Sequence, residues 1–118
     1  MQKVTFFVIM IIDFSKIALS VLPNFKGGEK AYEANMFFDG TNRIMNGRLV
    51  PGASIGLHTH EDSSEIMFFT SGKGSVIYDG EKLTVAAGLC HYCEKGHSHT
   101  LINDSDEDLC FYAVVPIQ

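Results

Sequence analysis

From Asn35 onward, short runs of β-forming residues alternate with turn residues. The turn signals recur about every 6 to 12 positions, which is the spacing of short antiparallel strands. Evenly spaced strands of this kind are typical of a sandwich or a barrel. No helical period, internal repeat or low-complexity tract is present. The pattern therefore predicts an all-β domain, with turns at Asp39-Gly40, Asn46-Gly47, Pro51-Gly52, Gly72-Lys73-Gly74, Asp79-Gly80, Gly88, Glu94-Lys95-Gly96 and residues 103–108.

The clearest local prediction is a hairpin at Asp79-Gly80, which separates residues 75–78 from residues 83–86. A two-residue type I′ turn needs a positive φ at both central positions. Asp tolerates that conformation and Gly adopts it freely, so this dipeptide favours the turn.

The first 35 residues are predicted to form an N-terminal arm with an edge strand, and residues 36–118 to form the barrel. The arm includes a predicted short helical turn near residues 14–19. Its apolar run, residues 4–12 (VTFFVIMII), is too short to span a bilayer, which takes about 20 residues. A β-strand is the favoured interpretation. A signal peptide without a convincing cleavage site, or an extension upstream of a natural start at Met10, remain alternatives.

Composition narrows the class of protein. The chain has 118 residues, 46% of them hydrophobic and 19% charged, which fits one folded domain. Its net charge is −5 and no basic stretch occurs, so a nucleic acid is not expected as a partner. A membrane is not expected either, because the apolar run is too short to span one. Three cysteines are an odd number, which favours a reducing compartment and predicts a cytoplasmic protein. On a strand, Cys90 and Cys93 would face opposite sides, so they are not expected to share one ion.

Candidate chemistry begins at His58-Thr59-His60. Alternate residues of a strand share a face, so the two imidazoles point the same way. Glu65 opens the next apolar strand and can turn back toward them. Two imidazoles and a carboxylate suit a divalent first-row metal. A solvated pair of loop histidines is the alternative.

A second group of residues follows at His97 and His99. Together the two halves read G52-x5-H58-x-H60-x4-E65-x6-G72 and G88-x5-E94-x-G96-x2-H99-x3-N103. In this order and spacing the sequence resembles the cupin superfamily, as a small single-domain member. One position departs from the family pattern: Glu94 stands where proline is usual, and it is not a ligand position.

The resemblance implies a double-stranded β-helix, or jelly roll, and a metal held by His58, His60, Glu65 and His99. The expected cofactor is one divalent transition metal, with iron, manganese, nickel, cobalt, copper and zinc all open. The implied function is a metal-dependent enzyme acting on a small oxygen-rich molecule, of dioxygenase, decarboxylase or isomerase type. The alternative is a non-catalytic barrel that binds or senses a small ligand. A homodimer is expected, formed through sheet edges.

The other candidates are less constrained. Met67 and Phe69 share strand parity with Glu65 and are predicted to line the pocket, or simply to be core. His97 is a candidate pocket group, whereas His91 is interpreted as an ordinary strand residue. Catalytic residues remain unassigned, with weak candidates at Glu61, His97, Tyr78, Tyr92 and Tyr112.

Two arginines precede the first motif, at Arg43 and Arg48. An inward-pointing guanidinium could bind a substrate carboxylate through two hydrogen bonds. Exposure at the surface is the alternative for each.

Overall fold

The computed structural model describes residues 10–118 as two antiparallel β-sheets packed face to face. Within this range the helices are two single 3-10 turns, Phe14–Lys16 and Phe25–Gly27. The strands are β1 (Leu19–Pro23), β2 (Ala31–Phe38), β3 (Asn42–Leu49), β4 (Ser54–Thr59), β5 (Glu65–Ser71), β6 (Lys73–Tyr78), β7 (Glu81–Ala86), β8 (Cys90–Cys93), β9 (Ser98–Ile102) and β10 (Leu109–Pro116).

The larger sheet has the strand order β1-β2-β3-β10-β5-β8, and the smaller has the order β4-β9-β6-β7. From β3 to β10, the chain changes sheet at every step except that from β6 to β7, as in a jelly roll. The all-β jelly-roll prediction is confirmed.

The core lies between the sheets and follows the alternation of side chains along the strands. In β10, Leu109, Phe111 and Ala113 are completely buried, while Tyr112 between them is exposed. A strand places alternate side chains on opposite faces, so one apolar set closes the barrel and the other faces outward. The Asp79-Gly80 hairpin is also confirmed: the two residues have φ angles of 48° and 85°. The turn predicted at Asn46-Gly47 is wrong, because both residues lie inside β3, where Gly47 packs against the rings of Tyr32 and Phe111.

The N-terminal region forms part of the sheet. Within it, β1 pairs with β2, and β2 begins at Ala31, so regular strand structure starts earlier than residue 36. The cause is an alternation in which Tyr32 and Ala34 point inward. The predicted helical turn is the 3-10 turn Phe14–Lys16. Most of the apolar run 4–12, including the strand predicted there, lies outside the described residues.

Two glycines join the segment between β1 and β2 to strand β4. A Cβ atom on Gly28 would collide with the carbonyl oxygen of Ser54, and one on Gly56 would collide with that of Lys26. The two backbones therefore approach more closely than any other residue type would permit. This contact places Phe25 and Lys26 beside the open end of the barrel, where the candidate site lies.

None of the helices among residues 10–118 is long and apolar enough to cross a bilayer.

Candidate metal centre and its cavity

Three histidines and one glutamate converge at the end of the barrel where the two sheets meet. His58 (β4) and His99 (β9) are direct cross-strand partners, and Glu65 is the first residue of β5 in the other sheet. His60 lies just after β4. The four ligand atoms all lie within 4.8 Å of one another. The structure thus brings together all four residues predicted as ligands.

A shift in strand register aims His58 into the site. The pairing of β4 with β9 slips by one residue between Ile55 and His58, as at a β-bulge. Residues three apart on a regular strand would face opposite sides, yet both of these line the same cavity. Gly56 lies within the shifted segment.

The distances among the four ligand atoms match those expected around one ion. The Nε2 atoms of His58, His60 and His99 are 3.1–3.2 Å apart, and Glu65 Oε1 lies 3.2 Å from His60 Nε2 and 3.1 Å from His99 Nε2. Two donors bound at right angles, each about 2.1 Å from an ion, are about 3.0 Å apart. The distance between the ligand atoms of the remaining pair, Glu65 and His58, is longer than these but still within 4.8 Å. This donor set fits a divalent transition metal with neighbouring positions left for a ligand.

Each imidazole is oriented through its other ring nitrogen. His58 Nδ1 lies 2.7 Å from the carbonyl oxygen of Gly56, and His60 Nδ1 lies 2.9 Å from Ser63 Oγ. A carbonyl oxygen only accepts hydrogen bonds, so His58 Nδ1 must be the donor. The neutral ring then presents an unprotonated Nε2 to the centre, which is the form that binds metal.

The protonation states of the buried groups also suit a cation. Burial on its own raises the pKa of the Glu65 carboxyl, but the adjacent His60 and His99 outweigh it and hold the pKa at about 2. Burial lowers the pKa of His58 below its ordinary value. Near neutral pH the site therefore offers an ionised carboxylate and a neutral imidazole.

His91 lies on strand β8, as interpreted from the sequence, and it also contacts one of the predicted ligands, which that interpretation did not include. Its Nε2 lies 3.0 Å from His99 Nδ1, and the residue is buried. Burial, followed by the proximity of His99, lowers the pKa of His91 to about 4. A neutral His91 accepts a hydrogen bond from His99 Nδ1 and leaves His99 Nε2 free to bind metal.

An open cavity of about 490 Å³ adjoins the centre. His58, His60 and Glu65 line it, while the deeply buried His99 lies behind them. Its volume is within the range of about 300–1,000 Å³ typical of small-molecule sites. Part of the remaining wall is apolar or aromatic and comes from both the N-terminal segment and the barrel: Leu22, Phe25, Tyr32, Met36, Met45, Ile55 and Val115. The rest is polar or charged: Lys26, Arg43, Thr59, Glu61, Asp62 and Ser63.

Tyr32 is the tyrosine in the wall of this cavity. Its hydroxyl lies 3.4 Å from Met45 Sδ, a weak acceptor, and the residue is buried. Burial, aided by the charge of Glu65, raises the pKa of Tyr32 well above its ordinary value. The phenol therefore stays protonated and can donate a hydrogen bond to a ligand.

Three residues predicted from the sequence to line the pocket lie elsewhere. Met67 and Phe69 belong to the buried core and are absent from the cavity wall. His97 is about 41% exposed, and its Nδ1 lies 2.5 Å from Asp79 Oδ2. That hydrogen bond raises the pKa of His97. The imidazole stacks on the ring of Tyr78 and is not part of the group of four predicted ligands.

The other weak candidates separate into two groups. Glu61 and Arg43 line the cavity, whereas Arg48 forms ion pairs with Glu33 and Asp108 at the surface. Tyr92 and Tyr112 are exposed on the outer face of the larger sheet. Tyr78 packs against the rings of His91 and His97 and does not line the cavity.

The cysteines take the positions predicted for a strand. Cys90 is exposed and Cys93 is buried, so the two thiols are not placed to bind the same ion. Burial raises the pKa of the Cys93 thiol to about 12, which keeps it protonated and unreactive. Cys110 is partly buried.

Comparison with known proteins agrees with the fold. The chain is 29% identical over 112 residues to an oxalate-binding protein of Thermotoga maritima, covering 90% of this chain and 93% of that one. A crystal structure described as a predicted oxalate decarboxylase from the same organism superposes with a TM-score of 0.86 at 29% identity, covering 92% and all of the respective chains. A sugar phosphate isomerase of Silicibacter pomeroyi superposes with a TM-score of 0.75 at 18% identity, covering 92% and 76%. The profile of the family described as "Cupin domain" matches residues 46–115. The chain belongs to the cupin family.

Proposed function

We propose that this cupin binds one divalent transition metal through His58, His60, Glu65 and His99 and presents it to a small carboxylic acid in the adjoining cavity. One observation carries the proposal. The Gly56 carbonyl fixes the proton of His58 on Nδ1, so that an Nε2 lone pair faces two further imidazoles and a carboxylate. Such a set of electron-pair donors is unfavourable in a buried site unless a cation lies among them.

A chelating acid is the ligand class that the surroundings favour. The relatives with 29% identity carry names that refer to oxalate, whose adjacent oxygens can occupy two neighbouring positions on a metal. A bound metal would act as a Lewis acid and polarise those oxygens. Tyr32 would donate a hydrogen bond from the cavity wall, and Glu61 at the mouth is available to accept a proton.

Two functions are compatible with this site. In the first, the chain is a metal-dependent enzyme that decarboxylates, oxidises or isomerises the bound molecule. In the second, it binds the acid without changing it. The second is favoured specifically by the name of the curated relative, which refers to oxalate binding alone.

The test is a calorimetric titration of oxalate into two samples, metal-loaded protein and protein stripped of metal by a chelator. We expect saturable binding to the loaded form and a large loss of binding after stripping, because the metal supplies the main contact. Release of formate and carbon dioxide in equal amounts would identify a decarboxylase, and unchanged oxalate a binding protein. Equal binding to loaded and stripped protein would contradict the metal-centred proposal.

We also propose a homodimer. The outer face of the larger sheet exposes Leu19, Val21, Phe68, Tyr92 and Tyr112, all of them large apolar or aromatic residues. An apolar face of this kind is typical of a protein–protein contact, and a second copy of the chain is the simplest partner. Light scattering should return the mass of two chains, and the mass of one chain would reject the dimer.

A further inference from the structure

We infer that Arg43 binds a second carboxylate on the ligand, so that the cavity selects an acid with two ends, longer than oxalate. One end would chelate the metal and the other would lie against the Arg43 guanidinium. The inference rests on the proposed function, because it assumes a ligand anchored at the metal.

Strand register places Arg43 at a suitable distance from the centre. Arg43 pairs with Phe38 on β2 and with Val115 on β10. One step beyond the Ile66–Val114 pair, Val115 lies beside Glu65 on β5. The four residues form one row across four strands, on the face that lines the barrel. Two strand spacings, about 10 Å, separate the backbones of Arg43 and Glu65. The Arg43 guanidinium lies over Phe38, on the side of β3 away from Glu65. The gap to the centre is therefore not shortened by the Arg43 side chain, and a ligand needs a carbon chain to reach both.

The Arg43 guanidinium is available to a ligand. Among residues 10–118, the ion pairs formed by arginine all belong to Arg48, which binds Glu33 and Asp108 on the outside of the sheet. Arg43 lies over the ring of Phe38, with its Cζ 4.2 Å from the ring centroid. Stacking on an aromatic face orients the guanidinium and leaves its N–H groups free to bind a carboxylate through two hydrogen bonds.

The volume and lining of the cavity fit such a ligand. At about 490 Å³, the cavity has more room than a two-carbon acid needs. Met36, Met45 and Val115 provide apolar wall that suits a carbon chain. Lys26 adds a second cation to the same wall, and Glu61 and Asp62, which follow His60 in the chain, add two carboxylates. With a divalent metal bound, a dianion would be attracted to both ends of the cavity.

The test compares three ligands by calorimetry on metal-loaded protein: oxalate, 2-oxopentanoate and 2-oxoglutarate. The two oxo acids share the same chelating end and carbon number, and they differ in the distal carboxylate. We expect 2-oxoglutarate to bind about tenfold to a hundredfold more tightly than 2-oxopentanoate, the effect of one charge-assisted hydrogen-bonded pair.

Substitution of Arg43 separates the contribution of its side chain. The Arg43→Gln variant should remove most of the preference for 2-oxoglutarate while leaving the affinity for 2-oxopentanoate nearly unchanged. Arg48→Gln is the matched control, because it removes the same charge from the same strand on the opposite face, and it should keep the preference. Circular dichroism and metal content of both variants should equal those of the wild type.

The outcomes distinguish this inference from the proposed function. Binding of all three acids with no preference for 2-oxoglutarate, or a preference that survives Arg43→Gln, would overturn the role of Arg43 and leave the metal-centred function standing. Failure of all three acids to bind metal-loaded protein would overturn both.

Discussion

Replacing His58 or His99 by alanine should leave the purified chain nearly free of metal, where the wild type should carry close to one transition metal ion per chain. Each change removes one of four donors from a set whose members lie within 4.8 Å of one another. Loss of an outer hydrogen-bonding partner already costs about 10–100-fold in metal affinity, and loss of a direct ligand should cost more. Elemental analysis of protein expressed and purified in parallel measures the effect.

Two further variants test whether the loss of metal is specific to the four predicted ligands. Glu65→Gln retains nearly the same shape but removes the negative charge, so it should also deplete the metal while the fold, followed by circular dichroism, persists. His97→Ala is the matched control, since it removes an exposed imidazole only two residues from His99 that faces Asp79 instead of the centre. Loss of metal from His97→Ala, or full metal content in the folded Glu65→Gln variant, would contradict the assignment of ligands.

Replacing His91 by phenylalanine should weaken metal binding about 10–100-fold without removing any ligand. The change keeps a buried aromatic ring but deletes the acceptor 3.0 Å from His99 Nδ1. His99 then loses the partner that holds its proton on Nδ1 and its ring in position. Competition against a chelator of known affinity measures the metal dissociation constant.

Further variants distinguish whether His91 orients His99 through a hydrogen bond or only fills space in the core. His91→Gln, which restores a hydrogen-bond acceptor, should recover part of the affinity, whereas His91→Leu should behave like His91→Phe. All three variants should unfold at similar temperatures when metal-free. Equal metal affinity for the phenylalanine variant and the wild type would show that the His91–His99 contact does not support the centre.

The ligand set could be predicted from the sequence because it depends on spacing within short segments. His58 and His60 are two residues apart, and the spacing through Glu65 to His99 matches a family pattern. The Asp79-Gly80 hairpin was equally local, since the positive φ angles of both residues are set by the turn itself. In each case neighbouring residues carry the information.

The supporting residues depend on contacts between distant segments. His91 lies on β8, the edge strand of the larger sheet, which pairs with β5. It contacts His99 on β9, a strand of the other sheet. Strand parity alone could not identify that neighbour. His97 shows the converse error, since parity with His99 would hold only if the strand began at Gly96.

The residues that line the cavity could not be predicted from local sequence patterns either. Tyr32 belongs to the segment predicted to be an arm, yet it lines the cavity because Gly28 and Gly56 allow that segment to dock on β4. The register shift after Ile55 likewise reverses the face on which His58 would otherwise lie. For Arg43 the sequence left two alternatives, and the pairing of β3 with β10 decides that it lies at the cavity.

A crystal structure of metal-loaded protein, with anomalous diffraction measured at the absorption edge of the bound metal, tests the central claim most directly. We predict one anomalous peak per chain, with the Nε2 atoms of three histidines and a carboxylate oxygen of Glu65 about 2.0–2.2 Å from it. A peak held by other side chains, or loaded protein without a peak among these four, would contradict the account.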